Sequence, residues 1–172
     1  MDCTCAKCSA GCETRPGWLA PGELDALAAF LGISARDVFV HHLAVDYFYE
    51  DGDVRKPIFV LIPASVDGPK GAEVPFDPRG HCVYYQEDGR CGVHAVKPDE
   101  CRFFDHARTR DELAEHRAAL VRRWKRRQTD IADLLRREPR APVPTAEDHL
   151  ALIANNAKYE RFRAAMERDG YA

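Results

Sequence analysis

The sequence predicts an α+β protein: a small, irregular, cysteine-rich body with short helices and a β-hairpin, followed by a C-terminal antiparallel helix pair. Four of the seven cysteines lie within residues 1–12, and a mixed segment with many glycine and proline breaks follows. The last 65 residues contain no cysteine and show helical periodicity. We therefore divide the chain into a cysteine-cluster region, 1–107, and a helical extension, 108–172, packed on it.

Local patterns predict two short helices near the start of the mixed segment. Apolar residues recur at helical spacing at Leu24, Leu27, Ala28 and Leu31. Gly32 ends this helix, because glycine readily adopts the left-handed conformation at a helix C-terminus. Ser34, followed by Asp37, begins a second helix that we expect to continue through about Leu43.

The β-structure is predicted from an apolar run and a turn signal. Ile58–Ile62 is typical of a buried strand, and the Gly- and Pro-rich residues 64–80 are typical of a loop. Segments 81–86 and 90–94 flank Glu87-Asp88-Gly89, in which Asp-Gly is a strong hairpin signal.

The C-terminal region predicts two helices. Thr109 and Glu112 form a capping box that begins a long helix, which ends near Glu138 because prolines follow. Its apolar positions are Leu113, Leu120, Trp124, Ile131 and Leu135. A second helix is expected from Thr145 to about Gly170, and the proline-spaced linker between them favours an antiparallel pair.

The cysteine content indicates a reduced, cytoplasmic protein without a membrane segment. The N-terminus does not resemble a secretion signal, and the longest apolar run is too short to span a bilayer. Thiols stay reduced in the cytoplasm, and seven cysteines cannot all pair as disulfides. Clustered reduced thiols point to metal binding, whereas the alternative is that they are small buried apolar residues.

The spacing of the cysteines predicts a chelate built from two distant parts of the chain. Cys5-x2-Cys8 has the spacing of a metal-binding knuckle, which supplies half of a four-ligand site. Cys82, Cys91 and Cys101 would supply the rest, in one site or two. A two-residue Asp88-Gly89 turn would separate Cys82 from Cys91 by about 13 Å, which is too far for one ion.

Nearby charged and imidazole groups have two interpretations. His81 and His94 flank the hairpin cysteines and are less certain ligands, because a structural role is the commoner one. Adjacent His41 and His42 are interpreted as structural. Basic residues close to the cysteines are either donors to thiolates or ordinary surface groups: Lys7, Arg90, Lys97 and Arg102.

Motifs around the cysteines resemble the YkgJ-type cysteine-cluster family. They are Cys5-x2-Cys8-x3-Cys12, a helix after Leu19-Ala20-Pro21-Gly22-Glu23, His81-Cys82-Val83-Tyr84, Asp88-Gly89-Arg90-Cys91-Gly92-Val93-His94 and Lys97-Pro98-x2-Cys101-Arg102-x-Phe104. The resemblance covers about residues 3–105 and implies a zinc- or iron-chelating domain. It carries the ligand set Cys5, Cys8, Cys12, Cys82, Cys91 and Cys101.

The sequence departs from the family pattern at three places. The family usually has two adjacent cysteines at the end of the first cluster, whereas Gly11 precedes Cys12 here; Cys3 is a candidate replacement. The usual Arg-Pro is Lys97-Pro98, and His94 stands where an aromatic residue is usual. These departures affect the number of ligands more than the fold.

We predict a metal-chelating protein that holds zinc or an iron–sulfur cluster, with zinc slightly favoured. One alternative is an iron–sulfur-dependent enzyme of unknown reaction, although no P-loop, dinucleotide or His-Glu-x-x-His motif is present. Another is a nucleic-acid or protein-binding module using the basic run Arg122–Arg127. Residues 109–140 carry only ten basic against six acidic residues, so nucleic-acid binding is not expected.

Overall fold

A computed structural model of the chain describes residues 12–13, 16–49, 57–73, 81–104 and 108–136. Three of the candidate ligands, Cys3, Cys5 and Cys8, lie outside these residues. The helix predicted at 145–170, and with it the antiparallel C-terminal pair, also lies outside them.

Both short helices near the start are confirmed. Helix α1 is Glu23–Leu31, and Gly32 follows it in the left-handed conformation with φ 69°. Helix α2 is Ala35–His42, and the hydroxyl of Ser34 accepts a hydrogen bond from the Asp37 backbone amide at 3.1 Å. These elements form where predicted because their signals are contained within a few neighbouring residues.

The sheet consists of two antiparallel strands, β1 (Leu43–Tyr49) and β2 (Pro57–Pro63). Strand β2 confirms the expectation from the apolar run. Helix α2 ends at His42 rather than at Leu43, and the next residue already begins β1, which the sequence did not predict. The first five residues of β1 are all buried, so the strand lacks the alternation of apolar and polar residues that identifies a half-exposed strand.

The outer edges of the two strands are hydrogen-bonded to other parts of the chain. On β1, the Val45 amide donates to the Ala72 carbonyl at 2.9 Å, and the Gly71 amide donates to the Leu43 carbonyl at 2.8 Å. On β2, the Leu61 carbonyl accepts from the Leu19 amide at 2.9 Å. The segment 16–20 therefore runs along β2 as a strap.

The single long helix predicted from Thr109 to Glu138 is wrong, although its start is confirmed. A complete capping box begins α4 (Arg110–Lys125), after the short helix α3 (Asp99–Phe103). The chain then breaks and restarts as α5 (Gln128–Arg136). The side-chain amide of Gln128 explains the break. Its Oε1 accepts a hydrogen bond from the Phe59 backbone amide at 2.8 Å, and its Nε2 donates to the Phe59 carbonyl at 3.0 Å. This long-range pairing fixes the start of α5 against β2.

Two tryptophans join the strap, the sheet and the C-terminal helices into one core. Trp18 is 1% exposed, and its Nε1 donates to Asp46 Oδ2 at 2.8 Å within β1. Trp124, on α4, donates from Nε1 to the Leu19 carbonyl at 2.6 Å. Most of the predicted apolar stripe is buried in the same core: Leu120, Trp124, Ile131 and Leu135.

The described residues thus form an α+β arrangement of short helices around a two-stranded antiparallel sheet. None of the helices in these parts of the chain is long and apolar enough to cross a membrane.

Candidate metal centre

The predicted hairpin forms its turn but not its strands. The Gln86 amide donates to the Arg90 carbonyl at 2.8 Å, the Gly89 amide donates to the Gln86 carbonyl at 2.9 Å, and Gly89 has φ 81°. This is a three-residue loop with glycine in the left-handed position. The two-residue turn is therefore wrong, and Cys91 pairs with Tyr85 instead of Gln86 in a single antiparallel bridge.

Both hairpin cysteines begin tight turns, so neither lies within an extended strand. The Tyr85 amide donates to the Cys82 carbonyl at 2.9 Å, and the His94 amide donates to the Cys91 carbonyl at 3.1 Å. The first turn also aims the amides of Tyr84 and Tyr85 at the Cys82 thiol. Amide-to-sulfur hydrogen bonds stabilise a thiolate, so this turn has the chemistry of a metal-binding knuckle.

Cys12 brings the N-terminal region to the hairpin. The Cys82 amide donates to the Cys12 carbonyl at 2.8 Å, so the two cysteines are adjacent across 70 positions of sequence. Cys12 is half-buried and packs against the core. The contact brings a cysteine of the N-terminal cluster beside one from the second group.

Cys101 is contributed by helix α3. The Gly17 amide donates to Cys101 Sγ at 3.3 Å, joining positions 84 residues apart. A Cβ atom at position 17 would lie 2.7 Å from that sulfur and 2.9 Å from the Cys101 backbone nitrogen. Only glycine permits the strap to approach α3 this closely.

Helix α3 is held in place by ion pairs to α4 and by the strap. Glu100 Oε2 accepts from the Trp18 amide at 2.8 Å, and Glu100 Oε1 accepts from Arg117 Nε at 2.8 Å. The Arg117 guanidinium also lies over the Trp18 ring, 4.6 Å from its centre. His116 Nε2 contacts Asp99 Oδ2 at 2.7 Å. The position of Cys101 therefore depends on α4 as well as on its own short helix.

The four described cysteines are thiols; Cys12 and Cys91 act electrostatically on Cys82, and Cys12 and Cys82 act on Cys101. Burial, with smaller contributions from Cys12 and Cys91, raises the pKa of Cys82 to about 12 against the amides that lower it. Burial also raises the pKa of Cys101, with smaller contributions from Cys12, Cys82 and Glu100. Thiolates so close together need a compensating cation, which a bound metal supplies.

The donor set fits a thiophilic metal, but the described thiols are not at ligating distances. Within the described ranges, no group of three or more Cys, His, Asp or Glu side chains is arranged to hold a metal ion. Four of the six principal candidates, Cys12, Cys82, Cys91 and Cys101, converge, whereas Cys5 and Cys8 lie outside the described residues. Zinc or an iron–sulfur cluster would use such thiolates directly as ligands.

The candidate histidines lie at the surface or against aromatic rings. His81 and His94 are exposed, and the His81 ring contacts Tyr85 edge-on at 5.7 Å between ring centres. His42 stacks on Tyr84 at 5.5 Å, while His41 is exposed.

Two of the basic residues near the cysteines, Arg90 and Arg102, contact acidic groups and carbonyls, while Lys7 lies outside the described residues. Arg102 pairs with Glu23 and donates to the Lys97 carbonyl at 2.7 Å. Arg90 pairs with Asp88 at 2.8 Å. These contacts do not involve sulfur.

The basic run on α4 lacks an aromatic side chain that could stack on bases. Trp124 is 2% exposed and hydrogen-bonded within the core, as its place on the apolar stripe predicts. Arg127 pairs with Asp130 at 2.7 Å, and Arg123 Nη1 lies 3.9 Å from Asp99.

Sequence reasoning missed three residues that position the cysteines. Gly17 and Glu100 contact the Cys101 region from the strap and from α3, and Ser65 lies opposite Cys82 in an antiparallel bridge. Their roles arise from contacts across 17 to 84 positions, and no local motif signals them.

Comparisons with protein-family models, curated proteins and solved structures give no match to this chain. The fold and the site together define a class: an α+β protein in which thiols from the N-terminal region, a hairpin and a short helix converge. Its functional interpretation depends on the geometry of that cluster.

Proposed function

We propose that this protein is a metal-chelating cysteine-cluster protein of YkgJ type, holding zinc or an iron–sulfur cluster through thiolates. The proposed ligands are drawn from Cys5, Cys8, Cys12, Cys82, Cys91 and Cys101. The observation that carries the proposal is the convergence of the last four, which come from the N-terminal region, the hairpin and α3.

The hydrogen bonds around the sulfurs support a site for thiolates rather than for thiols. Amides reach Cys82 from the turn that follows it, and the Gly17 amide reaches Cys101 Sγ at 3.3 Å. In water-excluded surroundings such donors favour the charged form of sulfur, but burial opposes it here. A metal cation reverses this balance, because binding displaces the thiol protons.

Chain length allows the N-terminal knuckle to join the same site. The backbone of Cys12 is fixed beside Cys82. Cys8 lies four positions before Cys12, a reach of at most about 14 Å, and Cys5 lies seven positions before it, at most about 25 Å. Both knuckle sulfurs are therefore within reach of the cluster.

Elemental analysis and absorbance of anaerobically purified protein test the proposal. We expect at least one zinc per chain in colourless protein, or iron and sulfide in brown protein absorbing near about 400 nm. If the free metal concentration is about a thousand times the Kd, removing the metal with a chelator should lower the free energy of unfolding by about 4 kcal/mol. This corresponds to a decrease in Tm of about 8–16 °C in a chain of this size.

Single substitutions locate the ligands. Cys82→Ser and Cys101→Ser should each lower the metal content well below one per chain. Val121→Thr is a matched control: it places a hydroxyl at another core position, 2% exposed on α4, and should destabilise the protein without releasing metal. Metal-free protein, prepared without oxygen or chelators and keeping its full Tm, would contradict the proposal.

A further inference from the structure

Ser65 lies directly opposite Cys82. The two form an antiparallel bridge, flanked by hydrogen bonds from the Val66 amide to the His81 carbonyl at 2.9 Å and from the Val83 amide to the Ala64 carbonyl at 2.9 Å. This pattern marks a non-hydrogen-bonded pair, in which the side chains share one face. The Cβ atoms of such a pair are about 4.5–5.5 Å apart.

The Ser65 hydroxyl is buried and lacks a hydrogen-bond partner in the part of the chain that the structure describes. Ser65 is 3% exposed, and its Oγ makes no hydrogen bond to any described residue. Leaving a buried polar group unsatisfied costs about 1–3 kcal/mol. Such a group calls for an explanation, and one explanation is a ligand or charge that the hydroxyl is positioned to meet.

The backbone around Ser65 is fixed on both sides. Its carbonyl accepts from the Gly68 amide at 3.0 Å, and its two neighbours are bonded to the residues flanking Cys82. Only the side-chain torsion remains to place Oγ, and it has three staggered positions. Rotation about this torsion therefore moves Oγ on the face shared with Cys82 without movement of the backbone.

We propose that the Ser65 hydroxyl donates a hydrogen bond to the Cys82 thiolate when the cysteine cluster holds its metal, which makes Ser65 a positioning residue for that ligand. The inference rests on the proposed function. An unpaired buried hydroxyl destabilises the metal-depleted chain. A metal-bound thiolate is a charged acceptor, and hydrogen bonds to charged acceptors are the stronger kind.

Cobalt titration of the full chain tests this inference. Co²⁺ is added to metal-depleted protein, its thiolate charge-transfer band is recorded, and affinity is measured by competition with a chelator. Ser65→Ala should weaken Co²⁺ binding about tenfold, in the range seen when outer-shell partners of metal ligands are removed. It should shift the charge-transfer band, and leave the Tm of the metal-depleted chain unchanged or higher.

Two further variants separate this role from a general effect on folding. Ser65→Thr keeps the hydroxyl and should restore the affinity. Ser34→Ala is the matched control: it removes the α2 cap, lowers stability by about 1 kcal/mol and should leave affinity and band unchanged. Unaltered affinity and spectrum in Ser65→Ala would overturn the inference alone. Absence of a charge-transfer band in the unsubstituted chain would refute both the inference and the proposed function.

Discussion

Replacing Gly17 by alanine tests whether the close approach of the strap to α3 supports both stability and the cysteine cluster. The new Cβ would lie 2.7 Å from Cys101 Sγ, 2.9 Å from the Cys101 nitrogen and 3.1 Å from Glu100 Cβ. The sulfur and the backbone nitrogen must both move, and the latter cannot do so without shifting α3. The shift weakens the Gly17 bond to sulfur and the 2.8 Å bond from Trp18 to Glu100.

The size of the effect follows from these contacts. Overpacking of this kind costs about 1–3 kcal/mol. One or two weakened hydrogen bonds add about 1 kcal/mol each, and the reduced freedom of alanine in the unfolded chain returns about 0.5 kcal/mol. We expect Gly17→Ala to lower the free energy of unfolding by about 2–4 kcal/mol and to reduce the metal content.

Urea unfolding followed by tryptophan fluorescence measures this change, since the only two tryptophans in the sequence are both buried. Gly68→Ala is the matched control, because a Cβ there meets nothing closer than 3.4 Å. Its free energy of unfolding should stay the same or rise slightly. If Gly17→Ala unfolds at the same urea concentration as Gly68→Ala, the close approach has no energetic role.

Two other predictions concern stability alone. Burial lowers the pKa of His42, with smaller effects from the positive charges of His41 and Lys70. As the pH falls through about 6.5, His42 becomes protonated in the unfolded chain before it does in the folded chain. The free energy of unfolding therefore decreases below that pH. His42→Phe should flatten this dependence in thermal unfolding between pH 7 and 5; an unchanged slope would assign it to other groups. Gln128→Ala removes both hydrogen bonds to the edge of β2 and a third to the Trp124 carbonyl, and should cost about 3 kcal/mol in urea unfolding. Gln128→Glu keeps the acceptor but places an oxygen against the carbonyls of Phe59 and Trp124, so it should cost at least as much; a clearly smaller loss would contradict the paired geometry.

The sequence predicted the elements whose determinants are local. The cap at Ser34, the left-handed Gly32 and the Thr109 capping box each involve residues within four positions of one another, and all three formed where expected. The apolar run of β2 was equally recognisable. Strand β1 was missed because burial on both faces removes its alternation, and because the buried Asp46 in its centre depends on a hydrogen bond from the distant Trp18.

The remaining differences come from contacts distant in sequence. The helix break after Lys125 depends on Gln128 meeting a strand 69 positions earlier, which no helical periodicity can reveal. At the candidate site, the cysteines could be proposed as ligands from their spacing and the family resemblance. Their arrangement could not, because the turn after Cys82 folds back a segment that had been expected to be extended.

The covered sheet edges limit how this protein can associate with other chains. Exposed strand edges are templates on which another polypeptide can add a strand, as in peptide capture, domain swapping and fibril growth. Residues 71–73 occupy that position on β1, while Leu19 and the Gln128 side chain occupy it on β2. Pro57 and Pro63 at the ends of β2 have no amide proton to offer. A partner would therefore have to recognise side chains on the surface of the folded chain rather than extend its sheet.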